Sequence, residues 1–497
     1  MENNLQLFIL KHLPALQVLL PFFGAIIAAL SFNKKLAWWI STIFIFFAFV
    51  LSIFGINYVN SDPISYNFGG WQAPVGIEYR IDILNQPIII FFNGILLFFL
   101  IFGKELINNT VLKYIDEQKQ YIFYSLLLFA HAGYLGVIST NDLFNIYVFI
   151  EISSLATYVI ISQGKSSFAL IGAFDYLIIG TIGATMILIA IGFLYGLTGS
   201  LNITDVANIL KIFGLSKISI TAITFFLSGV ILKMAFFPMH FWMRRAYSVV
   251  APIILTYLAA ISSIFGVYLI IRFYHFTIDN QIIQANISDI LRPIALFTII
   301  ICSVLAIRAR NIREVVIYST NSQVGYIFLL ITISHAQAIL FQLLIFDAIN
   351  KIALFIIVAH LDSKTNNLSF DNFACIKKSS LFKILIALAL IFSSGLPITS
   401  MFIFKVQFFS LLIEQKMIVE FFIVLAGTVL SMLYHLKIAK AIFFNNNKNE
   451  SVEINSNLSG LIVIIIAQIM SLIYINDFSE LTVKTRNFIN SDLMNLV

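Results

Sequence analysis

Apolar runs of about twenty residues recur along this chain, and that recurrence admits few folds. A helix needs about twenty residues to cross ~30 Å of hydrocarbon. Inside lipid every backbone N–H and C=O must find an internal partner, so only helices or closed barrels span. The period-two alternation of a barrel strand is absent. What remains is an all-α polytopic membrane protein. Composition agrees: the 497 residues are 60% hydrophobic and 11% charged, with a mean hydropathy of +0.97. A soluble domain carries about 25% charged residues.

Fourteen candidate spans fall near 13–31, 36–57, 86–102, 121–139, 142–163, 168–195, 218–237, 250–271, 289–307, 314–333, 336–360, 382–412, 417–436 and 459–475. The first run, from about Leu13, is long enough to span and lacks a basic leader, so no cleavable signal peptide is expected. The net charge of +6 is best read through its placement, not as a nucleic-acid signal. If the loop with Lys34 and Lys35 is cytoplasmic, eighteen basic residues fall on that side and nine on the other. By the positive-inside rule both termini then face the periplasm. Cys302 and Cys375 lie far apart, on a membrane helix and a cytoplasmic loop, and suggest neither a disulfide nor a metal site. Richness in Ile, Phe and Asn hints at A+T-biased codons.

Three spans look interrupted. Span 7 runs into Pro238 and a polar segment. Span 11 carries "FDAINKIALF". Span 12 carries "SSGLPITSMFIFK", with Pro397. Irregular backbone at membrane depth survives only where protein or a water-filled cavity satisfies it. The breaks in spans 7 and 12 are five spans apart and each has a lysine nearby, Lys233 and Lys405, which suggests an internal repeat.

A charge at the bilayer centre costs ~3 kcal/mol on insertion scales, so each buried one needs a reason. Lys233, in "VILKMAFFPMH", reads as a proton-relay amine or as a lysine that snorkels. Glu151, in "NIYVFIEISSLATYVI", needs a positive partner, and Lys233 is available; the alternative is a static ion pair that fixes packing. Asp347 precedes Lys351 by four residues, on one helical face and in the favourable order. Lys405 follows Pro397 by eight, and Asp175, in "AFDYLIIG", is a further candidate. His240 either links a proton path to the cytoplasmic face or caps free carbonyls. Arg313 and Tyr318 open span 10 in a cluster that is first of all topological.

These stretches resemble a family. "LYGLTGSLNITD", "LKMAFFPMHFW", "RNIREVVIYSTNSQVGY", "INKIALF" and "GLPITSMFIFK" are similar to the antiporter-like subunits of respiratory complex I and of Mrp-type multisubunit cation/proton antiporters. "NFGGWQAPVGIEYRIDILN" looks most like the D-type branch of the Mrp group. The resemblance implies about 14 transmembrane helices with two inverted five-helix repeats and discontinuous helices 7 and 12. The expected divisions are 1–120 (helices 1–3 and a periplasmic loop), 121–272 (first repeat, helices 4–8), 289–440 (second repeat, helices 9–13) and 441–497 (helix 14 and tail). It also implies that Glu151, Lys233, Lys351 and Lys405 form a proton path, and that Pro238, His240 and Trp242 form the turn after helix 7.

The chain departs from the family at several positions. Lysine is usual where Asp175 and Ile264 stand, and histidine where Asp347 stands. Leu-Pro-Asp usually follows the tryptophan, in place of Met243-Arg244-Arg245. Without the helix-8 amine, a water wire or Asp175 has to join the two half-paths. The chain is therefore read as a proton-translocating subunit of a monovalent cation (Na+)/proton antiporter in a bacterial inner membrane, partnered by other hydrophobic subunits and lipid. The rivals are a membrane-arm subunit of an NADH:quinone oxidoreductase and a non-pumping structural paralogue. No Gly-x-Gly-x-x-Gly, cysteine cluster or haem pair appears, so no cofactor or metal is expected. The segment 478–493 reads as an amphipathic surface helix.

Overall fold

The computed structural model describes residues 2–59, 63–112, 115–163, 168–214, 216–277, 281–333, 336–364, 368–370, 375–377, 380–444, 451–453 and 458–473. The expected surface helix at 478–493 lies outside them, as do Lys113, Lys165, Lys378, Lys448, Lys484 and Arg486 of the charge pattern. The side chains of Lys364, Cys375 and Lys377 lie outside them too.

Eighteen helices make up nearly all of the described residues. The N-terminal group is α1 (Glu2–Leu30), α2 (Lys34–Val59), α3 (Gln86–Phe102) and α4 (Lys104–Thr110). Then come α5 (Gln120–Ser139), α6 (Leu143–Ser162), α7 (Phe168–Thr198), α8 (Ile203–Phe213), α9 (Lys217–Lys233), α10 (Phe241–Val249) and α11 (Pro252–Thr277). They are followed by α12 (Gln281–Arg308), α13 (Ile312–Ile331), α14 (Gln337–Lys364), α15 (Ser380–Ser394), α16 (Ser400–Glu414), α17 (Ile418–Phe443) and α18 (Ser459–Ile473). Two short ladders complete the fold: β1 (Ile64–Asn67) antiparallel to β2 (Glu78–Ile81), and β3 (Cys375–Lys377) parallel to β4 (Ser451–Glu453).

Nine of these helices are single, long and apolar enough to cross a membrane, and each matches one expected span. The other five spans deviate for visible reasons. Spans 7 and 12 are broken, into α9 plus α10 and α15 plus α16. Span 3 continues past Gly103 into α4, bent by 67°, a break that the apolar pattern does not announce. α13 carries "YSTNSQ", which lowers its hydropathy, yet it is almost wholly buried. α18 is short. One expectation is overturned: span 11 is not interrupted, because α14 is a continuous helix of 28 residues. It contains neither proline nor glycine, and its acid and base neutralise one another within one turn.

Burial sorts the helices. The α11 span is 94% buried inside the protein and the α2 span only 28%, so α11 is a central post and α2 a rim helix. The β1–β2 hairpin closes one end of the bundle. Asp82, just after β2, accepts an ion pair from Arg272 at the end of α11 at 2.6 Å, both groups buried. Glu78 accepts from Ser65, Asn141 and Asn202 at 2.6, 2.8 and 3.0 Å.

The entries to α6 and α13 share a construction. Before α6, Asp142 caps the helix by accepting from Asn145 N and forms an antiparallel bridge with Asn202, beyond the end of α7. Before α13, Asn311 caps the helix by accepting from Glu314 N and forms an antiparallel bridge with Ser369, beyond the end of α14.

Candidate functional site

α7 and α9 pack closely because small residues let their backbones meet: a Cβ on Gly229 would lie 2.5 Å from the Gly183 carbonyl oxygen. One turn after Gly229, α9 stops at Lys233. Ala235 takes a φ of +54° and Pro238 cannot continue the helix. The broken end leaves carbonyls that need donors. The Trp242 indole N–H supplies one, donating to Leu232 O at 3.0 Å.

The Lys233 ammonium donates to Ser154 Oγ on α6 at 2.9 Å. Glu151 lies three residues before Ser154, one helical turn away, and interacts with Lys233 electrostatically. Lys233 is thus the positive group that Glu151 feels, while its hydrogen bond goes to Ser154.

Lys351 is buried and forms an ion pair with Asp347, as the i, i+4 spacing predicts. It also donates to Ser263 Oγ on α11 at 3.1 Å. Lys405, on α16, is buried beside the second break. Its ammonium donates to Ser394 O, the last carbonyl of α15, at 3.0 Å, and approaches Ser431 Oγ on α17 at 3.4 Å. The break itself contains Gly395 and Ile398, both at a φ of +72°, around Pro397.

α11 stands between the two lysine groups. Gly266 lies against Met234, the residue after Lys233, where a Cβ would come within 2.4 Å of the thioether sulfur. Ser263, one turn earlier, meets Lys351. Ile264 is buried on that same turn.

The secondary candidates scatter. Asp175 forms an ion pair with Arg245 of α10 at 3.2 Å, and Arg245 is 71% exposed. His240 is buried at the start of α10 with its ring against Phe237 and Phe241. Arg313 donates to the Tyr247 carbonyl at 3.0 Å, and its neighbour Glu314 pairs with Arg244 at 2.8 Å, so α10 is tied twice to α13. These groups serve the join between α10 and its neighbours, apart from the three lysines.

Among the buried histidines that sequence reasoning missed are His131 and His435. His131 on α5 bridges the Tyr257 hydroxyl and Asn93 Oδ1, each at 2.9 Å. His435 on α17 is bonded to Ser431 O at 2.8 Å. Both lie inside predicted spans, so the rule that sends a reader to intramembrane lysines would have found them.

Comparison with known proteins places the chain. Residues 140–431 match the model of the NADH:quinone oxidoreductase/Mrp antiporter transmembrane family. The chain is 33% identical, over 74% of its length and 73% of the relative's, to "NADH-quinone oxidoreductase subunit N" of Desulforudis audaxviator. It is 26% identical, over 92% of both chains, to "Putative antiporter subunit mnhD2" of Staphylococcus aureus. Among solved structures, a chain of the membrane-bound sulfane sulfur reductase, an archaeal respiratory membrane complex, superposes with a TM-score of 0.87 at 20% identity, covering 98% of this chain and 99% of that one. A chain of the Mrp complex from Dietzia sp. superposes with a TM-score of 0.83 at 17% identity, covering 96% of each. The match over most of the central helices, together with the identity to the Desulforudis relative, makes this chain a member of the NADH:quinone oxidoreductase/Mrp antiporter transmembrane family and an antiporter-like, multi-pass membrane subunit.

Proposed function

We propose that the chain carries protons across a bacterial inner membrane as the D-type component of a multisubunit Na+/proton antiporter, with both termini periplasmic and other hydrophobic subunits as partners. The observation that carries this reading is the placement of the three intramembrane lysines. Lys233 ends a broken helix, Lys405 binds the free carbonyl of another, and Lys351 is held by Asp347 between them. Two broken helices with intramembrane lysines, five spans apart, are a transporter arrangement. The matched caps and bridges before α6 and α13 support two repeats, 121–272 and 289–440.

Protonation from one side loosens the hold of Glu151 on Lys233. Its proton then moves toward Lys351 and Lys405, each step changing the field at the next amine. The joint across α11 has no charge of its own. Ser263 offers a hydroxyl on the turn where Ile264 stands, and a water-assisted step through it replaces the missing lysine.

A second reading is favoured by the 33% identity to a quinone oxidoreductase subunit: the same path in the membrane arm of a redox-driven complex. Native purification of the tagged protein separates the two by its company, small hydrophobic antiporter subunits in one case and flavin or iron–sulfur proteins in the other. The proton-path reading is tested by reconstituting that complex in vesicles. Lys233→Ala and Lys405→Ala should each reduce proton-coupled transport at least tenfold; transport at the wild-type rate in both variants would sink it.

A further inference from the structure

Behind the Asp347–Lys351 pair lies a cavity of about 20 Å³, enough for one water. Asp347, Asn350 and Lys351 line it from α14, Ser393 from α15, and Tyr434 and His435 from α17. It is chemically furnished. Asn350 Oδ1 accepts from Gln468 at 2.7 Å, while its buried Nδ2 has no protein partner.

His435 connects this wall to the lysine at the second break through Ser431. Its Nδ1 faces Ser431 O at 2.8 Å. A carbonyl only accepts, so Nδ1 carries the hydrogen and the neutral ring keeps its lone pair on Nε2. The hydroxyl of that same Ser431 is 3.4 Å from the Lys405 ammonium. One serine therefore joins His435 to Lys405, and one cavity joins His435 to Lys351. The charged groups facing the ring are Asp347 and Lys351 across the cavity and Lys405 across Ser431, with the Tyr434 phenol beside it.

We propose that His435 is a proton-binding site between Lys351 and Lys405. The step conserves charge. The Lys351 ammonium releases one proton through the cavity and becomes an amine; His435 Nε2 accepts it and becomes imidazolium. The positive charge has then moved from α14 to α17, where it repels the proton on Lys405 and favours its release. Return of the imidazolium proton to Lys351, or its onward loss, resets the ring. Asp347 stays an anion and holds Lys351 in place throughout.

This inference rests on the proton-path reading, and its test keeps the two apart. The complex is purified with its own partner subunits, reconstituted in vesicles, and assayed for proton-coupled transport. His435→Gln keeps a polar side chain of similar length but no titratable nitrogen, and should transport at a tenth of the wild-type rate or less. His435→Ala opens a space beside the cavity, and added imidazole should restore its transport several-fold, with less basic azoles restoring less. His435→Gln should not respond to imidazole. A purely structural histidine would give no dependence on azole basicity. Full-rate transport by His435→Gln, or an assembled His435→Ala complex that no azole restores, would overturn the proposal alone. A wild-type complex that moves no protons would overturn it together with the reading beneath it.

Discussion

The ammonium of Lys405 donates to the carbonyl oxygen of Ser394, eleven residues earlier in the chain, at 3.0 Å. The cation thus does the work that the next turn of α15 would have done. A helix that stops inside the bundle leaves carbonyls without their intrahelical donors, and a lysine brought back by the following helix satisfies one of them.

The seat of that lysine is made by the absence of a side chain. Gly395 has a φ of +72°, and a Cβ there would fall 2.7 Å from Lys405 Nζ. Gly395→Ala should therefore lower stability by about 1–2 kcal/mol through backbone strain alone and should also displace the ammonium. A drop in the detergent melting temperature, together with a loss of proton-coupled transport as large as that of Lys405→Ala, is the expected outcome.

At the first break the donor is an indole. Trp242→Phe keeps an aromatic ring to stack on Tyr176, now 4.7 Å away between centroids, but removes the indole donor and leaves Leu232 O to backbone N–H groups such as that of Ala235 at 3.3 Å. Losing one hydrogen bond from an acceptor that keeps another costs about 0.5–1.5 kcal/mol. Thermal unfolding of the variant should show a loss in that range, and a melting point equal to the wild type would contradict the role given to Trp242.

Asp347 and Lys351 form a buried ion pair, so removing one partner strands the other. Asp347→Asn should cost about 3–5 kcal/mol, whereas replacing both residues with apolar ones of similar size should be far milder. Comparing Asp347→Asn with the Asp347→Leu/Lys351→Met double variant by melting temperature checks this. Neither should transport, which separates stability from function.

Outside the membrane, Glu78 sets an acid limit on the hairpin. Burial pushes its carboxyl up, but hydrogen bonds from Ser65, Asn141 and Asn202 and the charge of Arg80 outweigh it and leave the group below its ordinary 4.5. The folded state therefore binds fewer protons than the unfolded one. The stability contributed is complete above the ordinary value and is lost as pH falls through the lower, folded value. Glu78→Gln should bring the neutral and acid melting points closer together, mainly by lowering the neutral one.

Much of this was legible from residue order alone. Apolar runs reveal helices because lipid forces the backbone to bond internally, and prolines next to lone lysines reveal breaks because both are costly there. The Asp347–Lys351 pair was legible because its spacing is local. What sequence could not supply was contact between distant segments. Nothing in "EISS" says that Ser154 accepts from Lys233, and nothing in "AFDY" says that Asp175 pairs with Arg245, seventy residues on. The continuity of α14 was missed because two charges in an apolar run look like an interruption until they are seen to cancel. The bend at Gly103 gave only a glycine as warning.

The double tie of α10 to α13 has a mechanical meaning. α10 begins at the turn that interrupts α9, and at its far side Arg244 and the Tyr247 carbonyl are fastened to Glu314 and Arg313. The stub after the first break is thus a short crank whose far side is pinned to α13. Any rotation of that stub must either carry α13 with it or break both contacts.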